Sequence, residues 1–165
     1  MSQHLIGQVT GLYTSSFCPS GQCVEVGVAI GPSAKSSFSG LDCVKVALAA
    51  RARLIVVSDS KQAEAGVPEP ERIRIGFELG AWELFIDTAK TGKYNYDQLL
   101  DVDDVKPLLG HQAQLGRLGD DVQLWCSGEP EVRQTYNFGE WRAFLLGVRA
   151  GEFDTATMLA RALVA

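Results

Sequence analysis

What is scarce in this chain narrows its function before any motif is read. No stretch reaches the roughly 18 apolar residues that a membrane-spanning helix needs. Histidine occurs twice, at His4 and His111, and cysteine four times, at Cys18, Cys23, Cys43 and Cys126. Four cysteines in 165 residues are too few for a disulfide scaffold. The opening Met-Ser-Gln-His-Leu-Ile lacks the basic stretch and apolar run of a secretory leader. The chain therefore reads as cytoplasmic, with reduced thiols. Positive charge is in deficit as well: 15 Lys and Arg stand against 20 Asp and Glu, a net charge of −5. A free-standing nucleic-acid binder draws its affinity from Lys and Arg on phosphates, so the charge argues against that class. What remains is ordinary. Hydrophobic residues make up 46% and charged residues 21%, which suits a folded domain and not a disordered tail. The length predicts one domain.

The usual marks of catalysis are thin too. Neither histidine stands beside a candidate nucleophile in the sequence. Gly110 to Gly119 is glycine-rich but lacks the Gly-Lys-Ser/Thr ending of a phosphate loop, and no G-x-G-x-x-G follows a strand. It reads as linker. Cys18 and Cys23 have four residues between them, at the edge of zinc-ligand spacing, and no second tight pair completes a site. Cysteine is among the most buried residue types, so core packing is the plainer role. The expectation is a protein that is not an enzyme and holds no cofactor or metal.

What the chain does contain is repetition. Ser15-Ser16-Phe17 and Cys23-Val24-Glu25-Val26 recur as Ser36-Ser37-Phe38 and Cys43-Val44-Lys45-Val46. These are two front segments. Gly80, Trp82, Phe85, Gly92 and Tyr94 recur 59 residues later as Gly139, Trp141, Phe144, Gly151 and Phe153. These are two back segments. The order front, front, back, back predicts a nested arrangement. An inner unit spans 35–95, inside an outer unit split into 12–30 and 121–154. A crossed pairing, with the first front completing the first back, is the alternative. A connector covers 96–120, and 155–165 forms a C-terminal helix with Met158, Leu159, Ala162 and Leu163 at helical spacing.

Each unit reads as α+β. Cys-Val-Glu-Val alternates as a half-buried strand does, and Arg53 to Val57 is rich in the residues strands favour. Arg72 to Ile75 predicts a third strand, and Val122 to Trp125 with Val132 to Thr135 are the outer counterparts. In the back segments Phe138, Trp141, Phe144, Leu145 and Val148 mark one apolar helix face. Asn137 with Glu140 predicts a capping box, and Gly151 a C-terminal cap. The fold expected is two antiparallel β-meander-plus-helix units, interlocked into one pseudo-dimeric domain.

The ordered series Ser-Ser-Phe-Ser-Gly…Cys-Val-x-Val, a strand ending in Asp-Ser-Lys, then Trp-x-x-Phe…Gly-Glu-Phe-Asp resembles the actinobacterial family called domain of unknown function 397. Ser36 to Val46, Asp59 to Lys61 and Trp82 to Tyr94 carry it in the inner unit, and Ser15 to Val26 and Trp141 to Asp154 in the outer. The chain departs from that pattern in being a double copy. It also has Trp125-Cys126-Ser127 where the outer Asp-Ser-Lys is expected. The resemblance implies a small regulatory partner of a helix-turn-helix transcription regulator, in development or antibiotic control, and supplies no catalytic residue. An acidic surface would compete with DNA for the regulator's basic face. The alternative is a small-molecule or metal-binding sensor. A homodimer of the whole chain is compatible with either.

Two groups stand out as partner-binding residues. Asp59, Ser60 and Lys61 form a polar turn after a strand, where exposed side chains are expected. Arg51, Arg53, Arg72 and Arg74 form a basic cluster on neighbouring strands, suited to an acidic partner or an anion. Trp82 and Trp141 keep helical register with Phe85 and Phe144 and are read as core anchors.

Overall fold

A computed structural model describes residues 8–18, 24–30, 52–68, 71, 73–106 and 113–164. The valine-rich runs become strands, as their β-branched composition dictates. β1 (Gln8–Thr14), β2 (Val24–Ile30), β3 (Ala52–Asp59) and β4 (Arg74–Glu78) form an antiparallel sheet in that order. β5 (Ala113–Leu118), β6 (Asp121–Cys126) and β7 (Glu129–Tyr136) form a second antiparallel sheet. Four helices accompany them among the described residues: α1 (Ser60–Glu64), α2 (Leu79–Lys90), α3 (Phe138–Arg149) and α4 (Thr155–Val164). The class is α+β, as expected. None of these helices is long and apolar enough to cross a membrane.

Strand alternation sorts the side chains to two faces. Val24, Val26, Val28, Ile55 and Val57 enter the main core, whereas Ala29, Leu54 and Val56 form a separate cluster on the opposite face. The main core runs without a break from the first sheet through α2 and α3 to Phe153 and Met158. α4 is thus docked on the core through Met158.

The back helices form where the 59-residue repeat predicts them. Asn137 and Glu140 make the full capping box at the start of α3, and Gly92 and Gly151 both take positive φ just beyond the helix ends. The repeat extends further than its two tryptophans. Phe77, Trp82, Phe85 and Tyr94 form a chain of neighbouring rings with centroids 5.0–5.5 Å apart. Tyr136, Trp141, Phe144 and Phe153 form another, at 5.2–6.4 Å. Each member of the second chain lies 59 residues after its counterpart in the first.

Three expectations change. First, β2 of the first front segment hydrogen-bonds to β3, with Val26 opposite Val57. The first front therefore sits in the sheet of 52–59 and not with the strands of 121–136. The physical reason is strand complementarity: Val24–Ile30 and Ala52–Asp59 match in length and β-branched character. The segment nonetheless reaches the outer back segment by its turn. The backbone N–H and the hydroxyl of Ser16 both donate to the Glu152 carboxylate, and buried Ser15 lies beside Gly147. The second front, 36–46, lies outside the described residues.

Second, the stretch read as linker contains β5. Gly116 is a strand residue there, and glycine is required because a Cβ on it would stand 2.9 Å from the Cα of Val102. Gly119 takes φ +60° and opens the Gly119-Asp120 turn into β6. Among the described residues, the 3-10 turns Tyr96–Gln98 and Val102–Asp104 match the helical turn expected of the connector. Third, the strand expected at Arg72 to Ile75 begins at Arg74 and runs on to Glu78.

Candidate binding site

α2 and α3 meet through bonds that come in matched pairs. The Trp82 indole donates to the Phe153 carbonyl at 2.8 Å, and the Trp141 indole donates to the Tyr94 carbonyl at 2.8 Å. Lys90 donates to the Asp154 carboxylate at 2.8 Å, and Arg149 donates to the Asn95 side-chain oxygen. In both pairs, moving 59 residues along the chain converts one bond into the other with donor and acceptor halves exchanged. Each helix is thus fastened to the turn that follows the other helix.

This fastening holds the 95–97 turn against α3 and leaves a cleft of about 300 Å³ between them. Its floor is Trp141 and Leu145, both buried. Tyr96 and Phe138 make an aromatic wall, with ring centroids 5.4 Å apart and the planes at 89°. The repeat places Phe138 on the apolar helix face, yet it is 48% exposed. It is the first residue of α3, where the helix has not yet turned under the core. Tyr96 is held from two sides: its hydroxyl donates to the Gly119 carbonyl at 2.7 Å, and the Arg117 guanidinium lies 5.3 Å from its ring centre. Arg142, Arg149, Asn95 and Asp97 complete the lining. Arg142 is exposed and has no ion-pair or hydrogen-bond partner among the described residues. An open aromatic surface beside a free guanidinium is the composition of a recognition hot spot.

The Asp59-Ser60-Lys61 segment is less exposed than the turn expected, with Lys61 half-buried. Asp59 is 9% exposed and Ser60 is buried. The segment opens α1, with the Lys61 N–H donating to the Asp59 carboxylate at 3.0 Å. That bond caps the new helix. The Lys61 ammonium lies 3.2 Å from Asp59, ion-pairs with the buried Glu140, and stands 5.1 Å over the Tyr136 ring. Glu140 is also the capping-box residue of α3, so Lys61 ties the end of β3 to the start of α3. Around it, the Gln134 amide donates to the carbonyls of Val57 and Ile73, at 2.9 and 3.1 Å. The Tyr136 hydroxyl donates to Gln134 Oε1 at 2.7 Å, with the Ser58 carbonyl at 3.1 Å. These residues fasten the two sheets to each other.

Of the arginine cluster, Arg51, Arg72 and the Arg53 side chain lie outside the described residues. Arg74 is half-buried and already engaged. Cys18 is disulfide-bonded, to a partner outside the described residues, which departs from the reduced thiols expected. Cys126 is free and half-buried, and burial pushes its thiol pKa up, away from nucleophilic use. Cys23, Cys43, His4 and His111 lie outside the described residues. Among the described residues no group of three or more His, Cys, Asp or Glu is placed to hold a metal.

Burial also raises Tyr94, and raises Tyr136 well above the ordinary phenol value, the nearby Asp59, Glu140 and Glu25 adding to the effect on Tyr136. The cleft was not foreseen from the motifs, although one signal was available. Where the two back helices are compared at 59 residues, Glu83 faces Arg142, a change of charge sign at an exposed position. Compared with known proteins, the chain matches no family model, no curated protein and no solved structure.

Proposed function

We propose that this chain is a non-enzymatic regulatory binding module, a fused dimer of two β-meander-plus-helix units, whose recognition surface is the cleft between the 95–97 turn and α3. The observation that carries this reading is the exposed Phe138 beside Arg142, which has no partner among the described residues. A large apolar side chain held open next to an unpaired guanidinium gains free energy when a partner covers both. The exchanged pairs of Trp, Lys and Arg bonds support the fused-dimer part, because an isologous two-fold interface repeats each contact with the partners exchanged. The motif series that resembles domain of unknown function 397 supports a helix-turn-helix transcription regulator as the partner. The role would then be control of that regulator by protein–protein contact.

The test is co-purification of the full chain with any helix-turn-helix protein that its neighbouring genes encode. Wild-type protein is expected to retain the regulator, and Phe138→Ala and Arg142→Glu to lose most of it. No complex with the wild-type chain would overturn the regulator reading. A second reading has its own support. The cleft volume of about 300 Å³ falls at the lower end of small-molecule sites, roughly 300–1,000 Å³. A small-molecule sensor would show a thermal shift with a ligand in the absence of any protein partner.

A further inference from the structure

The cleft has a counterpart elsewhere on the same chain. The residues 59 positions before Arg142, Leu145 and Arg149 are Glu83, Ile86 and Lys90, and those 59 after Asn95 and Tyr96 are Asp154 and Thr155. These counterparts line a second cleft of about 270 Å³, together with Asp87. The apolar floor position is kept, Ile86 for Leu145, while the rim is reversed. In the first cleft Arg142 and Arg149 stand with one carboxylate, Asp97. In the second, Glu83, Asp87 and Asp154 stand with one ammonium, Lys90, which is itself bonded to Asp154 at 2.8 Å. The aromatic wall is also confined to the first cleft, since Thr155 replaces Tyr96.

We propose that the Arg142 cleft takes an acidic segment of a partner protein, and that each chain takes one such segment. A carboxylate of the segment sits on Arg142 while an adjoining apolar side chain covers Phe138. This deepens, and rests on, the reading of the same cleft as the recognition surface. The choice of ligand follows from charge. A guanidinium offers a planar fork of donors that matches a carboxylate. A neutral segment would cover Arg142 without pairing it, and burying an unpaired charge is costly. A basic segment would meet two guanidinium groups. The number follows from the counterpart, whose three carboxylates repel the same ligand.

The test titrates the full chain with a short fluorescein-labelled peptide alternating glutamate and leucine, with its lysine-for-glutamate version, and with N-acetylglutamate. The glutamate peptide is expected to bind at one per chain and to weaken as salt rises. Arg142→Glu is expected to weaken it by about tenfold or more, and Phe138→Ala severalfold, both with unchanged circular dichroism. Glu83→Gln is expected to leave it unaltered. The proposal is overturned if the two cleft variants bind as wild type does, or if two peptides bind per chain. It is also overturned if the lysine peptide binds as well, or if N-acetylglutamate binds as tightly, which would assign the cleft to a small carboxylate. A chain that retains the regulator but ignores the glutamate peptide would keep the binding-module reading and remove this ligand class. A chain that binds neither would remove both.

Discussion

Tyr136 shows how much one hydroxyl is asked to do. It is fully buried, its hydroxyl meets only acceptors, and Asp59, Glu140 and Glu25 oppose a phenolate there. Its folded pKa is therefore raised above the unfolded value of about 10. Below about pH 10 both states hold the proton and stability does not depend on this group. Above it the unfolded chain ionises first, and stability falls by about 1.4 kcal/mol per pH unit until the folded pKa is reached. Urea unfolding between pH 8 and 11 is expected to show this fall, and Tyr136→Phe to reduce it, with Tyr94 and Cys126, both raised by burial, supplying the remaining slope. Gly147 is a second residue with a defined task. A Cβ there would stand 2.8 Å from the Phe153 ring, which is fully buried. Gly147→Ala is expected to cost about 1–2 kcal/mol by denaturant titration, the overpacking strain exceeding the gain in helix propensity. Trp82 and Trp141 were legible in the sequence as core anchors because helical register leaves such residues one apolar face. Asp59 and Lys61 were not. Their polarity signals a turn, and only the distant Glu140 shows that the turn is internal. Lys61→Met is accordingly expected to lower stability by about 1–2 kcal/mol while leaving binding of the proposed regulator partner unchanged. A selective loss of capture at unchanged stability would return Lys61 to the recognition surface.

At the scale of elements, the three longer helices were the readable part, whereas the short α1 and the strand pairings were not. α3 could be placed from its apolar spacing, its capping box and Gly151 because all three signals are local. Asn137→Ala removes the side-chain oxygen that accepts the Glu140 N–H at 2.8 Å. It is expected to lower stability by about 1 kcal/mol in chemical denaturation. It also frees Glu140 to shift away from Lys61, so the Asn137→Ala and Lys61→Met effects are expected to be non-additive in a double-mutant cycle. β2 had no such local signal. The two front segments share one motif, and which distant strand each pairs with is settled by length and register over the whole sheet. β5 was missed because Gly116 and Gly119 signal a linker. Gly116 is required by the approach of Val102 and Gly119 by a turn, and neither need is visible before the neighbours are in place. The cleft escaped for a related reason. Its wall joins Tyr96 from the supposed connector to Phe138 from the supposed core face.

At the scale of the molecule, one continuous core and the exchanged Trp bonds decide how the chain unfolds. Val24 of the first sheet and Val122 of the second belong to the same buried cluster. The Trp82 indole ends on the Phe153 carbonyl and the Trp141 indole on the Tyr94 carbonyl, so neither helix can leave without breaking a bond in the other half. Two independent half-length units would each bury only about 60% of their unfolded surface, which is marginal for stability. Sharing the core removes that weakness and also removes independence. Calorimetry is therefore expected to give a single transition whose calorimetric and van't Hoff enthalpies agree. Trp82→Phe leaves a buried carbonyl and Trp141→Phe a part-buried one without its donor, and each leaves a space beside the ring. Each is expected to lower the midpoint of that one transition, by an amount corresponding to about 2–3 kcal/mol, without splitting it. If either variant instead produces two transitions, the halves are separately stable, and the exchanged bonds are contacts between finished domains. In that case the opposite charges of the two clefts belong to two domains free to reorient. With the single transition expected here, the basic cleft and the acidic cleft belong to one cooperatively folding unit.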